Sequence, residues 1–191
     1  SESQLKHHCI SLCCKGVEFD TSDISTNRFY IDNSIGGRFS STSVIGTCIL
    51  SLCFGKAIVN EFLNGAKEND DNAANTIFDN NLALNAAWAT IWYRNIKKYP
   101  AKAIVSYSYA LRGFPAHLQQ LICESNGKSV NIDNQVIPYE TSPVIISSTG
   151  TQCQHSFFQL IHQSHDIIPL EFINIQNTTF SNHHYQQSFK Q

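Results

Sequence analysis

The stretch that decides the fold is Lys102-Ala-Ile-Val-Ser-Tyr-Ser108, a short apolar run that is followed by a helical pattern from Leu111 to Glu124. A continuous apolar run of this length, rich in β-branched residues, predicts a buried strand. The same order returns at Pro143–Ser147 and Gln152–His165, and a last strand is predicted over Ile167–Ile175. Alternation of strands and helices is typical of an α/β fold with a parallel sheet.

The N-terminal part of the chain carries its own predicted elements. His8–Cys13 alternates between apolar and polar residues, which predicts a strand. Ser40–Ser43 offers N-cap residues for an apolar helix that reaches about Leu63, and a second helix is predicted over Leu82–Lys98. Between these helices, Lys67–Asn81 is crowded with Asn and Asp, which indicates a domain boundary or a long loop with a helical turn.

Composition excludes several classes of partner. Charged residues make up 15% of the chain and the formal net charge is −2, so no basic surface is available for nucleic acid. The longest apolar run, Val44–Val59, is interrupted by glycines and polar residues, and we expect no segment of the roughly 20 residues that span a membrane. Neither nucleic acid nor a membrane is therefore expected as a partner. The N-terminus shows no signal-peptide pattern, which favours a cytoplasmic protein.

The cysteines indicate the same compartment. There are seven of them, they form no Cys-x-x-Cys pair, and most have apolar neighbours, which predicts reduced, buried thiols. Cys9, Cys13 and Cys14, close to His7 and His8, are the only candidate zinc ligands. Strand alternation explains these cysteines adequately, so no metal site is expected.

One carboxylate stands alone at the end of a predicted helix. No Asp, Glu, Lys or Arg lies between Ala116 and Cys123, so Glu124 is an isolated charge where the helix meets a polar turn. Partial desolvation there would make the carboxylate a stronger base, as general base catalysis requires. The competing interpretation is an ordinary solvated glutamate, since most glutamates are exposed.

Three segments together resemble the phosphoglucose isomerase family. Gln119–Lys128 is similar to the family's Gln-Gln-x-x-Met-Glu-Ser-Asn-Gly-Lys, and Ile35–Ser40 to its Val-Gly-Gly-Arg-Tyr-Ser. Gly150–Gln163 is similar to Gly-Thr-Asn-Gly-Gln-His-Ala-Phe-Tyr-Gln-Leu-Ile-His-Gln, in the family's order. The resemblance implies a three-layer αβα sugar-isomerase fold with a parallel sheet, of which this chain is the incomplete central segment. Residues 1–68 would end the first sugar-isomerase domain, and residues 69–191 would begin the second and close with a polar C-terminal tail.

The resemblance also implies a division of labour among site residues. Glu124 would move a proton between carbons 1 and 2 of an open-chain hexose 6-phosphate, and Arg38 would stabilise the enediol intermediate. His155 would assist ring opening, while Gln120 and Gly37 would contact the substrate. Neither a metal nor an organic cofactor is implied. The family donates its histidine across a dimer interface, so a homodimer is expected of the full-length protein.

The sequence around His155 indicates its role less clearly than the sequences around Glu124 and Arg38 indicate theirs. Its predicted place near the start of a helix disfavours the protonated imidazole and suits proton exchange near pH 7. The preceding segment departs from the family, because Ile146–Thr151 replaces Trp-Gly-x-Pro-Gly-Thr and lacks its Trp and Pro. Gln152 and Cys153 replace Asn-Gly.

Two functions remain open from the sequence. One is an aldose–ketose isomerase that interconverts glucose 6-phosphate and fructose 6-phosphate. The other is a non-catalytic sugar-phosphate-binding module that regulates a partner. Glu124 favours the enzyme, since binding alone needs no base, whereas the altered segment before His155 leaves the second function open. The family's phosphate-binding residues lie outside this segment, so the chain alone is expected to be inactive.

Overall fold

The structure is a computed structural model that describes residues 4, 6–21 and 25–175. These residues fall into two compact units that divide between Ala83 and Leu84, here called unit 1 and unit 2. The predicted boundary between residues 68 and 69 concerns sugar-isomerase domains of a longer polypeptide and stays a prediction. The polar tail predicted from Asn177 lies outside the described residues.

Unit 1 begins with a small parallel ribbon. Its elements are strand β1 (Ile10–Cys13), the short helix α1 (Glu18–Thr21) and strand β2 (Asn27–Tyr30). The two strands pair in parallel, with Ile10 opposite Asn27 and Cys13 opposite Tyr30. The prediction of a strand before Cys14 is therefore confirmed. The sequence predicted neither α1 nor β2, because both lie in a polar stretch without a clear period.

A long helix follows the ribbon. A 3₁₀ helix (Gly37–Thr42) leads into α2 (Val44–Ala73), which Ser43 caps by accepting a hydrogen bond from the Ile45 N–H at 3.2 Å. Gly55 interrupts α2 with φ 81° and ψ 168°, a conformation that suits glycine. The predicted helix is confirmed, but it runs past Leu63.

The length of α2 corrects the expectation about membrane-spanning segments. Among the described residues, α2 is the one helix that is long and apolar enough to cross a membrane by length and composition alone. The break at Gly55 leaves two helical parts, each shorter than the roughly 20 residues that a span requires. The expectation that no membrane is a partner stays a prediction.

The Asn- and Asp-rich stretch after α2 is a hydrogen-bonded corner. Asn81 is buried, and its amide donates to the carbonyl oxygens of Ala73 at 2.9 Å and Asn75 at 2.8 Å. The Asn72 side chain accepts from the N–H of Leu82 at 2.9 Å, which caps the next helix. The connection is shorter than predicted, because residues up to Ala73 belong to α2, and it contains a 3₁₀ turn (Phe78–Asn80). The two units divide close to its end. The Asn side chains satisfy backbone groups at both helix ends.

The helix after this corner leads into the sheet of unit 2. Helix α3 (Leu82–Ile91) continues into a π-helical turn (Trp92–Ile96). After it come β3 (Ala101–Ser106), a 3₁₀ turn (Tyr109–Leu111), α4 (Phe114–Asn126), β4 (Val144–Thr149), α5 (Gly150–Gln154), α6 (Phe158–Gln163) and β5 (Leu170–Ile173). The strands form a parallel sheet in the order β4-β3-β5. The predicted α/β fold with a parallel sheet is confirmed.

The central strand of this sheet supplies most of the buried core. Ala103, Ile104, Val105 and Ser106 of β3 are each at most 1% exposed, and Ile145 on the neighbouring strand is 2% exposed. Removing one such aliphatic side chain from water contributes about 1.5–3 kcal/mol. The apolar run that predicted a buried strand therefore anchors unit 2 and fixes the edge at which its strands end.

Candidate active site

The carboxyl ends of the three strands of unit 2 lie in register. Ser106, the last residue of β3, is opposite Thr149 of β4 on one side and Ile173 of β5 on the other. Ligands of open parallel sheets bind outside this edge, where strands give way to loops and helices. The residues that follow these strands are therefore the first place to look for a site.

Helix α4 presents the predicted base together with its predicted neighbour. Gln120 and Glu124 are four residues apart and share one helix face. The Gln120 amide donates to a Glu124 carboxylate oxygen at 3.0 Å, so the pair is held together. Lys128 donates from its ammonium group to the Glu124 carbonyl oxygen and ties the helix end to the following turn.

The surroundings of Glu124 bear on one expectation. Its side chain is exposed, which favours the competing interpretation of a solvated glutamate over the predicted partial desolvation. The helix lies apolar side inward against β3 and β4, and a glutamate on the opposite face reaches water instead.

One hydrogen bond joins α4 to the strand that precedes the histidine. The Ser147 hydroxyl donates to the Gln119 side-chain oxygen at 2.9 Å. Ser147 occupies a position where the similar family motif has Gly, so this bond depends on a side chain that the motif lacks. The departure from the motif thus adds a link between β4 and the helix that carries Gln120 and Glu124.

His155 lies at a helix end rather than a helix start. The predicted helix Gln152–His165 is two helices, and His155 is the C-terminal cap of the five-residue α5, with φ −97° and ψ 11°. Its N–H donates to the Gln152 carbonyl at 3.1 Å, and its side chain is exposed. The argument that a helix N-terminus disfavours its protonated form is therefore wrong. A three-residue turn (155–157) separates α5 from α6, and Phe157, with φ −115° and ψ 1°, is the N-cap residue of α6.

Tyr107 is a residue of this edge that the sequence did not single out. It directly follows β3, and its N–H donates to the Ile173 carbonyl at 3.1 Å. Its hydroxyl accepts a hydrogen bond from the Gln154 amide at 3.1 Å, next to His155. The available signal was its position, since the residue after a buried parallel strand lies at the ligand-binding edge.

Arg38 and Gly37 lie in unit 1, on the 3₁₀ helix Gly37–Thr42, whereas Gln120, Glu124 and His155 lie in unit 2. Arg38 is half-buried. Gly36 has an extended backbone with φ −70°, and no atom lies within 4 Å of the place where a Cβ on Gly36 or Gly37 would sit. The folding of this unit therefore does not itself require glycine at either position.

The cysteines and possible metal ligands give a mixed result. All seven cysteines are free, but Cys153 alone is buried and Cys53 is exposed, so the prediction of buried thiols holds at one position. Burial raises the pKa of the Cys153 thiol, whose sulfur lies 3.0 Å from the Gly150 carbonyl oxygen. Within residues 4, 6–21 and 25–175, no three His, Cys, Asp or Glu side chains are grouped so as to hold a metal ion.

The sequence is similar to that of known isomerases. A family model described as phosphoglucose isomerase matches residues 1–189. Glucose-6-phosphate isomerase of Treponema denticola is 47% identical over 167 residues, which make up 85% of this chain and 32% of that protein. The enzyme of the same name from Chlamydia muridarum is 43% identical over 171 residues, 89% of this chain and 33% of that protein. The chain thus spans about a third of the length of these relatives.

The structure is similar to solved structures as well. A crystal structure of a glucose-6-phosphate isomerase from Chlamydia trachomatis matches with a TM-score of 0.87 and 38% identity, covering 97% of this chain and 37% of that one. A hypothetical protein from Thermus thermophilus matches with a TM-score of 0.73 at 22% identity and shows the fold alone. The expected sugar-isomerase fold, present here in part, is confirmed. Because the family model covers nearly every residue, the chain belongs to the phosphoglucose isomerase family.

Proposed function

We propose that these residues are the central segment of an enzyme that interconverts glucose 6-phosphate and fructose 6-phosphate. The observation that supports this most directly is the hydrogen-bonded pair of Gln120 and Glu124, exposed on one face of α4. Helix α4 packs on β3 and β4. Its last turn, which carries Glu124, lies beside the start of β4, because the Cys123 thiol donates to the Pro143 carbonyl oxygen at 4.0 Å. His155 follows the carboxyl end of β4, at the other edge of the sheet. A base held on a rigid helix and oriented by a neighbouring amide suits a proton transfer that has to reach two adjacent carbons.

The proposed reaction is a proton transfer through an enediol. The Glu124 carboxylate removes the proton from carbon 2 of the open-chain aldose, and the electron pair of that C–H bond forms the carbon–carbon double bond of the intermediate. The carbonyl pair of carbon 1 moves onto oxygen 1, and the hydroxyl proton of oxygen 2 passes to oxygen 1. The same carboxyl group then returns its proton to carbon 1 as the carbon–carbon double bond breaks, so carbon 2 becomes the ketone and carbon 1 the primary alcohol. Arg38 offsets the negative charge that develops on the substrate oxygens. The scheme requires neither a metal nor an organic cofactor.

The other site residues act before and around this step. His155 exchanges a proton with the sugar-ring oxygen during ring opening, for which an imidazole is suited near neutral pH. Gln120 and the backbone at Gly37 contact the sugar. We also propose that the complete protein is a cytoplasmic homodimer in which each subunit's His155 serves the other subunit's Glu124.

The exposure of Glu124 is one reason to expect that the chain alone is inactive. A solvated carboxylate is a weak base, and an open site lets water compete with the substrate for every hydrogen bond. The relatives are about three times as long, so further residues are available to cover the site and bind the phosphate. We expect turnover only from a complete protein that contains these residues.

The test is conversion of fructose 6-phosphate to glucose 6-phosphate, followed by coupling to a dehydrogenase. It is run on the complete protein, on the 191-residue chain, and on Glu124→Gln variants of both. We expect activity from the complete protein alone, and a loss of roughly 10²–10⁴-fold in kcat with Glu124→Gln, as for removal of a general base. Glu61→Gln, which changes another exposed glutamate, is the matched control and should leave kcat unchanged.

The outcomes separate the two functions. A complete protein that binds fructose 6-phosphate by calorimetry but gives no turnover would leave the regulatory module and refute the enzyme. Activity from the chain alone would refute its proposed incompleteness.

Subunit mixing tests the shared site. Glu124→Gln and His155→Ala proteins, each of low residual activity, should regain activity when they are unfolded and refolded together, because one of the two sites in a mixed dimer then carries both native residues. No regain would show that each subunit supplies its own histidine.

A further inference from the structure

Tyr107 connects the end of the sheet to the segment that carries His155. Its N–H bonds to the Ile173 carbonyl of β5 at 3.1 Å, which fixes its backbone at the carboxyl edge. Its half-buried ring packs against Phe172 with the ring centres 6.1 Å apart. The Tyr107 ring is therefore held in place by β5 rather than by α5, which it also contacts.

The same ring contacts α5 at both of its ends. A Cβ added to Gly150, the first residue of α5, would overlap the Cδ1 and Cε1 atoms of Tyr107. Only glycine lets the helix start this close to the ring. At the other end, the Tyr107 hydroxyl accepts from the Gln154 amide at 3.1 Å.

Helix α5 is too short to hold its own place. Five residues form little more than one turn, and isolated turns are unstable without tertiary contacts. His155 directly follows Gln154, and its N–H closes the last turn of α5 on the Gln152 carbonyl. The position of the imidazole therefore depends on what holds α5 in place, and Tyr107 contacts both ends.

We propose that Tyr107 is a positioning residue for His155 and acts through Gly150 and Gln154 without touching the sugar. This inference rests on the proposed isomerase function, in which His155 opens the sugar ring. Proton transfer needs heavy atoms within about 3 Å, and a displacement of about 1 Å can cost two orders of magnitude in rate. The hydroxyl of Tyr107 would set that distance through a single hydrogen bond.

The first variant removes the hydroxyl and keeps the ring. In the complete protein, Tyr107→Phe should lower kcat roughly threefold to tenfold and leave KM within about twofold, since one neutral hydrogen bond is lost away from the substrate. Gln154→Leu should have the same effect, and the double variant should fall no further than either single one. Tyr109→Phe is the matched control, because that ring is 71% exposed and its hydroxyl lies in the same segment.

The same substitution in a protein that lacks His155 distinguishes a positioning role of Tyr107 from general support of the fold. Adding Tyr107→Phe to His155→Ala should cause no additional loss, because the residue that Tyr107 positions is already gone. A further loss of the same size in that background would overturn the proposal and assign Tyr107 a merely structural role.

A readout independent of turnover separates this inference from the proposed function. In histidine-labelled complete protein, the imidazole NMR signal of His155 should shift or broaden with Tyr107→Phe, while the signals of His117 and His162 stay in place. If the wild-type protein shows no turnover, the proposed function fails, yet this shift would still support the positioning role. An unchanged His155 signal overturns the inference whatever the rate does.

Discussion

Strand β3 and the first part of helix α2 are both rich in apolar residues, yet their side chains differ in burial. Ile104 and Val105 of β3 are at most 1% exposed, whereas Leu52 of α2 is 74% exposed and Phe54 is 63% exposed. Of the α2 residues, Val59 alone is buried. The strand has a partner on each side within its own unit, whereas no comparable cover of the helix is present among the residues that the structure describes.

The difference shows what apolar composition does and does not predict. Apolar area left in water forgoes about 25 cal/mol per Å², so both segments favour burial. Neighbours for β3 lie within the next seventy residues of the sequence, while the chain as a whole spans about a third of its relatives. We infer that the cover for α2 belongs to the remaining two thirds of a complete protein.

The largest expected effect comes from placing a charge in each of the two segments. Val105→Asp should destabilise unit 2 by at least about 3 kcal/mol, because an unpaired carboxylate would be buried in the centre of the sheet. Leu52→Asp should change stability by less than about 0.5 kcal/mol, since its site is already exposed. Urea unfolding of the 191-residue chain, followed by tryptophan fluorescence, measures the first effect, because both tryptophans lie in unit 2.

Circular dichroism of the same samples measures the helix of unit 1. If Leu52→Asp reduced stability as much as Val105→Asp, α2 would be covered in the isolated chain, and the contrast between strand and helix would be lost.

A smaller effect is expected where α5 meets the sheet. Gly150→Ala should cost about 1–3 kcal/mol, because the added methyl group overlaps the Tyr107 ring, which Phe172 and Gln154 restrain. Gly113→Ala is the matched control in the same unit, since no atom lies within 4 Å of its added Cβ and its φ is −87°. Equal midpoints for the two variants in urea would show that the ring yields freely and that close packing does not extend past the strand ends.

The parts of the fold that the sequence predicted share one property. β3, β4 and α4 have apolar patterns that are satisfied by neighbours in the chain, so local pattern and tertiary packing agree. The hydrogen bonds of the Asn-rich corner were not predicted. They join side chains such as Asn81 to backbone carbonyls of residues several positions away, and no local pattern marks them. The break after α5 was missed because Gln152–His165 keeps a helical period through residues that the structure places in a turn.

The candidate site was predictable to a different degree. Resemblance pointed to Glu124 and Gln120, and the structure brings them together on α4. The resemblance did not predict that Glu124 is exposed, because exposure depends on which surfaces the rest of the polypeptide covers. It did not predict the contacts of Tyr107 either, because these depend on how α5 packs against the sheet. The roles of Arg38, Gly37 and His155 stay predictions.

The smallest expected effect concerns the ribbon of unit 1. Polar contacts stabilise this ribbon, whereas an apolar core stabilises unit 2. The Gly16 N–H and then the Tyr30 hydroxyl donate to Asp20, at 2.9 Å and 2.8 Å, and lower the pKa of its carboxyl. The same bond raises the pKa of Tyr30 above its ordinary value. The lowered pKa of Asp20 means that its carboxylate stabilises the fold at pH values above the ordinary carboxyl pKa, and this stabilisation is lost as the pH falls. The raised pKa of Tyr30 means that its hydroxyl stabilises the fold below about pH 10, and this stabilisation is lost as the pH rises.

The ribbon should therefore be most stable between these limits, with a modest decline at both ends because the groups are exposed. NMR titration of the Tyr30 ring in the 191-residue chain measures the link directly. Asp20→Asn should return the pKa of Tyr30 towards its ordinary value and remove the acid-side decline. If Tyr30 titrates at the same pH in both proteins, the bond to Asp20 does not hold the ribbon. Unit 1 would then owe its order to the apolar side chains of β1 and β2 after all, and the contrast with unit 2 would narrow.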